Sequence, residues 1–150
     1  MVIYLGSDHR GFKLKESIGN FLKGRGYEVV DFGNNVYDEN DDYVDFAKSV
    51  AQKISLSPED KGILFCGSGA GMDIAANKFR KVRSVLAVSP DQVYAARHDD
   101  NANILSIAAG FTEEENAKKI VNVFIETPFD REERHQKRLD KITQIEQKWS

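Results

Sequence analysis

The sequence predicts an α/β fold, in which five parallel strands form one sheet and helices cover both of its faces. Short, almost continuously apolar runs alternate along the chain with longer segments of helical periodicity. Strands that are apolar throughout are typical of a parallel sheet buried on both faces. A further helical segment follows the break at Thr127-Pro128-Phe129, so an extra C-terminal helix completes the expected three-layer sandwich.

The periodicity places each element in turn. Val2-Ile3-Tyr4-Leu5 is apolar from its first residue and predicts a strand that begins at once. The strands are expected at 2–5, 28–32, 63–66, 84–88 and 104–108. The helices are expected at 12–25, 43–55, 71–79, 90–98 and 112–126, with the last from about 131 to 149. No repeat, low-complexity tract or linker divides the chain, so 1–150 is taken as one domain.

Composition excludes several classes of function. The 150 residues are enough for a core that needs no disulfide, and the net charge of -3 provides no basic surface for nucleic acid. No run has the apolar length of a membrane span, so no membrane partner is expected. A single cysteine cannot form an internal disulfide, and no leader sequence precedes the first strand. Both observations favour a cytoplasmic location.

The most informative segment is Cys66-Gly67-Ser68-Gly69-Ala70-Gly71, which joins a predicted strand to a predicted helix. Alternating glycines let successive backbone N–H groups point into one concavity, and the start of the helix adds partial positive charge. The same field favours the thiolate form of a cysteine. We therefore expect a reactive Cys66 beside an anion-binding turn, which suits removal of a proton followed by charge development on oxygen.

Other interpretations of this segment stay open from the residues alone. A lone cysteine at a strand end is commonly a small buried hydrophobe. A glycine-rich turn before a helix commonly binds a ready-made phosphate. The turn also resembles half of a dinucleotide fingerprint, but it has the pattern GxGxG, and no acidic residue closes a second strand about 20 residues later.

A second candidate group, Asp8 and His9, follows the first strand. Ligands bind at the carboxyl ends of parallel strands, and the first and third strands are often neighbours, so this group is expected near Cys66. Asp8 and His9 are suited to hold a sugar hydroxyl and move a proton. Alternatively, Asp8 caps a helix and His9 is a surface residue. The polar segment 34–42 is either solvated surface or a loop at the substrate entrance.

A third candidate group is expected at the opposite edge of the sheet. His98 ends the fourth predicted helix, and Asp99 and Asp100 follow it directly. Arg134 and Arg138 share one face of the last helix, where two guanidiniums are able to clamp one phosphate, unless they are merely solvated. One subunit does not easily bring this group to the glycine turn. A two-fold dimer does so by placing one subunit's basic edge against its partner's turn.

Three segments, in order along the chain, carry a resemblance to a known family. They are Gly6-Ser7-Asp8-His9-Arg10-Gly11-Phe12-Lys13-Leu14-Lys15, the glycine turn followed by Ala75-Ala76-Asn77-Lys78, and Arg134-His135-Gln136-Lys137-Arg138. Together they resemble the type B ribose-5-phosphate isomerases, a family that includes the bacterial galactose-6-phosphate isomerase subunits. The resemblance implies a Rossmann-like sandwich that assembles as a homodimer with shared active sites, or as a tetramer.

The resemblance also implies an aldose–ketose isomerisation that uses no metal and no cofactor. The cysteine that matches Cys66 takes the proton from C2 of the opened sugar, and a cis-enediolate forms. Backbone amides hold the enediolate oxygens. The positions that match these amides are Gly67, Ser68, Gly69, Ala70 and Gly71.

Further roles follow from the same resemblance. Asp8 and His9 match substrate-binding positions, and Arg134 and Arg138 match residues that grip the phosphate from the partner subunit. A histidine late in the fourth helix assists ring opening by general acid–base transfer. His98, with Asp99 and Asp100 beside it, is expected at that place.

The chain departs from the family pattern at three places. The family's His-Asn-Asp-x-Asn motif would put its histidine at Asp99, whereas His98 lies one residue earlier. Either an insertion keeps His98 in place, or Asp99 or His9 opens the ring. An arginine common after the fifth strand corresponds to Gly110, and Asp-Tyr-Pro is replaced by Asp42-Tyr43-Val44.

The expected reaction is therefore the interconversion of ribose 5-phosphate and ribulose 5-phosphate. A hexose 6-phosphate such as that of allose or galactose is the alternative substrate, because Gly110 leaves space where the family has a bulky side chain. A non-catalytic phosphate-binding module, which would not need the thiol, is the alternative of another class. A subunit of a mixed oligomer is the third.

Overall fold

The computed structural model describes residues 1–149. It contains five strands and six helices within that range, in the order expected from the sequence. The strands are β1 (Val2–Ser7), β2 (Glu28–Asp31), β3 (Lys61–Cys66), β4 (Ser84–Leu86) and β5 (Ile104–Ala108). The helices are α1 (Phe12–Gly24), α2 (Tyr43–Leu56), α3 (Ala70–Ala76), α4 (Pro90–Asp100), α5 (Glu114–Glu126) and α6 (Glu133–Trp149).

All five strands are parallel and lie in the order β2-β1-β3-β5-β4. The predicted α/β sandwich with an extra C-terminal helix is therefore confirmed, as is the pairing of the first strand with the third. In the β1–β3 pair, Ser7 lies opposite Phe65. The loops that follow these two strands thus leave the sheet side by side, at its carboxyl edge.

The core forms two layers, one on each face of the sheet. One layer joins the sheet to α1 and α5 and includes Ile18, Phe65 and Phe124. The other joins the sheet to α2 and α3 and includes Val50, Leu64 and Met72. The central strand β3 is buried at every residue, because it contributes side chains to both layers. None of the helices between residues 1 and 149 combines the length and apolar character that a bilayer crossing needs.

Two elements end two or three residues earlier than expected, for tertiary reasons. Strand β4 is at the sheet edge and pairs with β5 only from Ser84 to Leu86. Helix α3 ends at Ala76, because the Asn77 side chain donates to the Ser84 carbonyl and accepts from its N–H, both at 2.9 Å. Asn77 thus holds the start of β4 instead of extending α3. The 3.6-residue periodicity of the sequence gives no sign of this contact.

Gly11 marks the tightest approach between the first loop and the central strand. A Cβ added at Gly11 would lie 2.5 Å from the carbonyl carbon of Phe65, which is too close for two carbon atoms that are not bonded to each other. Gly24, in the same helical region, has open space around the corresponding position. The first loop therefore lies directly on β3 only because residue 11 has no side chain.

This contrast makes a matched test of stability. Gly11→Ala is expected to lower the free energy of unfolding by about 1–3 kcal/mol, because β3 or the loop must shift to admit the methyl group. Gly24→Ala is expected to leave it unchanged or raise it by up to about 1 kcal/mol, because alanine favours a helix. Urea unfolding of both variants measures the difference. Equal stability of the two would show that the first loop yields without cost.

Candidate active site

A cavity of about 320 Å³ lies at the carboxyl ends of β1 and β3. Its lining residues are Asp8, Arg10, Tyr43, Cys66, Gly67, Ser68 and Gly71. The structure thus brings Asp8 of the second predicted group to Cys66 and its glycine turn, as the strand order requires. A larger cavity of about 520 Å³ near Phe32 and Leu56 has neither a thiol nor an imidazole in its lining, so chemistry and not volume identifies the site.

The glycine turn presents free donors to this cavity. Within the described chain, the backbone N–H groups of Ser68, Gly69, Ala70 and Gly71 donate to no protein acceptor. Gly69 has φ +73°, in the left-handed region, and starts α3. The loop after β5 holds the base of the turn, because Gly110 N–H donates to Gly67 O at 2.9 Å. Unpaired amides around one concavity bind anionic oxygen.

Cys66 is the last residue of β3 and is 5% exposed. Its side chain packs in the layer that contains Leu64 and Met72, and it forms no disulfide. The thiol therefore lies where the buried strand meets the polar cavity. A base in this position is shielded from bulk water and adjacent to the free amides of the turn.

Asp8 is 6% exposed and fixes the first loop. Its Oδ1 accepts from Gly11 N–H at 3.0 Å, and its own N–H donates to Phe65 O at 3.3 Å. Burial raises the pKa of Asp8, while the Gly11 N–H and the nearby His9 partly oppose this. The capping interpretation and the site interpretation are thus compatible, since one carboxylate oxygen binds the turn before α1 and the residue also lines the cavity.

His9 lies beside this cavity and is held by Asp41. The carboxylate Oδ1 of Asp41 is 2.7 Å from His9 Nδ1 and accepts from His9 N–H at 3.0 Å. Its Oδ2 accepts from Asn34 Nδ2 at 2.9 Å, and the Asp41 side chain is only 4% exposed. Segment 34–42 is therefore joined to the candidate site through Asp41, while Asn34 binds Asp41 within the segment itself. This attachment favours the substrate-entrance interpretation over free surface.

Lys15 fixes the beginning of the same segment from inside α1. Its side chain is fully buried, pairs with Asp31, and donates to Asn34 O at 3.3 Å. Sequence reasoning missed both Lys15 and Asp41, because a lysine in a helix and an aspartate in a polar loop are ordinarily solvated. Their function in positioning His9 depends on contacts between segments that are distant in the sequence.

Arg10 and Tyr43 are two more cavity residues that the sequence analysis did not select. The Arg10 guanidinium covers Gly67, where an added Cβ would lie 2.6 Å from Nε. The Tyr43 ring packs on Gly71 in the same way, at 2.7 Å. Arg10 forms no ion pair within residues 1–149, so it offers a free cation to an anionic ligand. The sequence signal for Arg10 was its place inside the segment 6–15, which carries the family resemblance.

The third predicted group surrounds the end of α4 and the start of α6. His98 Nδ1 lies 2.7 Å from Asp99 Oδ1 and 3.6 Å from Asp130 Oδ2, and the ring stacks on Tyr94. Asp130 also binds Nδ1 of the buried His135, at 2.8 Å. The hydrogen bond to Asp99 raises the pKa of His98 above 6.5, and Asp130 adds to the effect. Nδ1 is thus engaged, which leaves Nε2 for a ligand.

The remaining members of this group, Arg134, Arg138 and Asp100, have different surroundings. Arg134 and Arg138 are both exposed on α6, and Arg134 Nε donates to Glu132 at 2.8 Å. Asp100 lines a separate cavity with Ile142 and Ile145, which His98 does not line. The structure therefore places His98 and Asp99 together and directs Asp100 elsewhere.

The Cys66 group and the His98 group lie at opposite edges of the sheet. Asn103, five residues after His98, accepts from Gly62 N–H at the beginning of β3. Cys66 ends the same strand, about 13 Å further along at the usual rise per residue. The predicted separation within one chain is confirmed.

Two clusters near the start of α6 have donor atoms close enough for a metal ion. His98, Asp99 and Asp130 form one, and Asp130, Glu132 and His135 form the other, with ligand atoms within 4.8 Å of one another. Although burial raises it, hydrogen bonds from His135 and the Glu132 backbone leave the pKa of Asp130 below its ordinary value. The carboxylate is thus already matched by imidazole donors. Independence from metals stays a prediction.

Similarity to known proteins extends over almost the whole chain. The family model described as Ribose/Galactose Isomerase matches residues 3–142. Probable ribose-5-phosphate isomerase B of Mycoplasma genitalium is 44% identical over 145 residues, which cover 96% of this chain and 95% of that protein. The crystal structure of ribose-5-phosphate isomerase B from Mycoplasma genitalium with bound ribulose-5-phosphate has a TM-score of 0.94 at 42% identity, covering 98% and 97% of the two chains.

A second solved structure agrees over the full length. The ribose-5-phosphate isomerase B of Clostridium thermocellum has a TM-score of 0.95 at 39% identity, covering 100% of both chains. Similarity of this extent includes the first loop, the glycine turn and α6. The chain therefore belongs to the ribose/galactose isomerase family, and within it to the type B ribose-5-phosphate isomerases.

Proposed function

We propose that this chain interconverts ribose 5-phosphate and ribulose 5-phosphate, with Cys66 as the base. The observation that carries the proposal is the buried thiol at the end of β3, directly beside a turn whose amides have no protein acceptor. The relative of Mycoplasma genitalium that contains ribulose-5-phosphate has the same fold at 42% identity, which supports the substrate.

The proton transfer uses one group twice. Cys66, as a thiolate, removes the proton from C2 of the open-chain aldose, and the C2–H electrons form the C1–C2 double bond while the carbonyl oxygen becomes an oxyanion. The resulting cis-enediolate is stabilised by the free amides of residues 67–71. The thiol then returns the proton to C1, the hydroxyl proton on O2 passes to the oxyanion O1, and C2 becomes the carbonyl of the ketose. No electron leaves the sugar, so the step needs no redox cofactor.

The phosphate-binding arginines and the ring-opening histidine come from a second copy of the chain. His98, Arg134 and Arg138 lie at the far edge of the sheet from Cys66, and a two-fold dimer juxtaposes the two edges. Nε2 of the partner's histidine is then available to move the ring proton, and the two guanidiniums bind the phosphate dianion. A tetramer of such dimers has the same sites. A single buried, unpaired thiol fits a reducing, cytoplasmic location.

A hexose 6-phosphate is the second candidate substrate, because Gly110 brings no side chain to the turn where the family commonly has an arginine. Gly110 itself packs closely on Gly67, so a Cβ added there would lie 2.9 Å from the Gly67 carbonyl oxygen. Hexose 6-phosphates are therefore included as parallel substrates, and turnover of the pentose is expected to exceed theirs. Arg10 supplies a cation beside Gly67 from the opposite side.

The reaction and its base are tested together. Purified protein is expected to convert ribose 5-phosphate to ribulose 5-phosphate with a chelator present, and Cys66→Ala is expected to lower kcat by about 10²–10⁴-fold, the range for loss of a general base. A coupled assay with allose and galactose 6-phosphates in parallel measures both. Ser68→Ala, which keeps the backbone amide, is the control and should retain most of the activity. Full activity of Cys66→Ala would eliminate the proposed base.

The shared site is tested by mixing two inactive chains. Cys66→Ala is combined with Arg134→Gln/Arg138→Gln in equal amounts and allowed to exchange subunits. Random pairing gives half heterodimers with one intact site each, so about a quarter of the wild-type activity is expected to return. Mixing Cys66→Ala with Cys66→Ser should restore nothing. If tagged chains show exchange and no activity returns, each site belongs to a single chain.

The raised pKa of His98 gives a test of pH dependence. Asp99→Asn is expected to lower the His98 pKa, because its main cause is the hydrogen bond to that carboxylate. NMR titration of the imidazole measures the shift. Asp100→Asn, one residue on and facing another cavity, should leave the titration unchanged.

The raised pKa of His98 also makes the stability of the fold depend on pH. A raised folded-state pKa means that charged His98 stabilises the fold fully below pH 6.5, and that this contribution is lost as pH rises through the raised value. Removing Asp99 should therefore weaken stability more at pH 6 than at pH 8. An unchanged His98 titration in Asp99→Asn would show that the 2.7 Å contact does not govern its charge.

A further inference from the structure

A second polar cavity, of about 440 Å³, lies at the amino edge of the sheet. It is enclosed by the start of β3, the approach to β4, the end of α4 and one face of α6. Four basic residues line it: Lys61, Arg83, Arg97 and Arg131. Within residues 1–149, none of the four forms an ion pair. Two carboxylates, of Glu59 and Asp140, also line the cavity, so its four basic side chains outnumber its acidic ones by two.

Arg97 is the most buried of these cations, at 5% exposure. Its Nε donates to Thr127 O at 3.2 Å, and its Nη1 donates to Asn101 Oδ1 and to Ala102 O. These acceptors fix the guanidinium but do not neutralise it. Its Nη2 has no acceptor within the described chain, so one pair of N–H donors of a nine-tenths buried side chain stays free in a residue that lines the cavity.

Lys61 and Arg83 are held in the same way. Lys61 is 7% exposed, and its Nζ donates to Glu59 O at 2.9 Å and to Asp60 O at 3.4 Å. Arg83 Nε donates to Asn101 O at 2.9 Å. Backbone carbonyls thus preorganise three cations around one cavity. Each of these three side chains still has N–H donors that no acceptor in the described chain uses.

The arrangement has an electrostatic cost. Burial, and then the charge of Arg97, lower the pKa of Lys61 to about 8. Burial, and then the charge of Arg83, lower the pKa of Arg97 to about 10. The nearby carboxylate of Glu59 only partly opposes these shifts. An anion between the cations would offset both the desolvation and the mutual repulsion.

The cavity is separate from the proposed isomerase site. It lies at the amino edge of the sheet, whereas Cys66 lies at the carboxyl edge. Its α6 lining residues, which include Gln136 and Asp140, are directed roughly opposite to Arg134 and Arg138 at about 100° per residue. The same helix thus carries the proposed clamp on one side and this cavity on the other.

We propose that the cavity at the amino edge binds a phosphate group, either inorganic phosphate or the phosphate of a small ester. Two guanidinium forks and an ammonium group match the oxygens of a tetrahedral dianion, and they do so better than they match a monoanion. The volume admits a phosphate with a few additional heavy atoms. Glu59 and Asp140 in the lining limit how much negative charge the cavity accepts.

The test removes the competing phosphate clamp first. In Arg134→Gln/Arg138→Gln, calorimetric titration with inorganic phosphate at constant ionic strength is expected to show one saturable site per chain. Adding Lys61→Met should weaken this binding by about tenfold or more, because a charge-assisted hydrogen bond is lost. Adding Asp140→Asn should strengthen it, because a like charge is removed. Acetate at the same concentration should not bind.

Glycerol 2-phosphate distinguishes the two sources of the ligand. Affinity equal to that of inorganic phosphate identifies the free anion, and tighter binding identifies an ester; either supports the site. Absence of a saturable phosphate site in the clamp-free chain overturns it, as does affinity unchanged by Lys61→Met. Arg83→Gln serves as a second variant if circular dichroism shows that Lys61→Met is unfolded. In the otherwise wild-type chain, Lys61→Met should keep its isomerase activity, so failure of either proposal is recognised separately.

Discussion

The pairing of β1 with β3 is the constraint on which the rest of the site depends. It places the end of β1 next to the end of β3, so that Asp8 and Cys66 line one cavity although they are 58 positions apart in the sequence. The contact is close because Gly11 lies directly on the Phe65 carbonyl. Elements further out, such as segment 34–42, are then positioned against the first loop and not against the sheet itself.

The site combines groups that would be unfavourable in an ordinary interior. Unpaired amides and a carboxyl whose pKa burial raises both cost stability when no ligand is present. The two apolar layers that enclose β3 offset this cost, since every residue of that strand is buried. Preorganised donors of this type stabilise charge that develops during a reaction better than groups that must first rearrange.

The parts of the site that follow from strand ends were predictable from the sequence. Cys66 and Asp8 end buried strands, and parallel strands deliver their ends to one edge. Lys15, Asp41 and Arg10 were not predicted, because their roles arise from tertiary contacts. A fully buried lysine inside an amphipathic helix has no periodic signature, and its partner Asp31 lies 16 residues away. The shortened α3 has the same origin, because Asn77 bonds to a strand rather than continuing the helix.

Segment 34–42 is attached at Asn34 and at Asp41, while residues 35–40 between these points are exposed. Tyr37 is the exception among them in its contacts, because its ring packs edge-on against the rings of His9 and Phe12, with centroids 6.1 and 6.3 Å apart. Substitutions at the other exposed positions are therefore the ones that leave the contacts of His9 in place. Exposed positions on either side of Tyr37 are thus able to change while the carboxylate that holds His9 keeps its place.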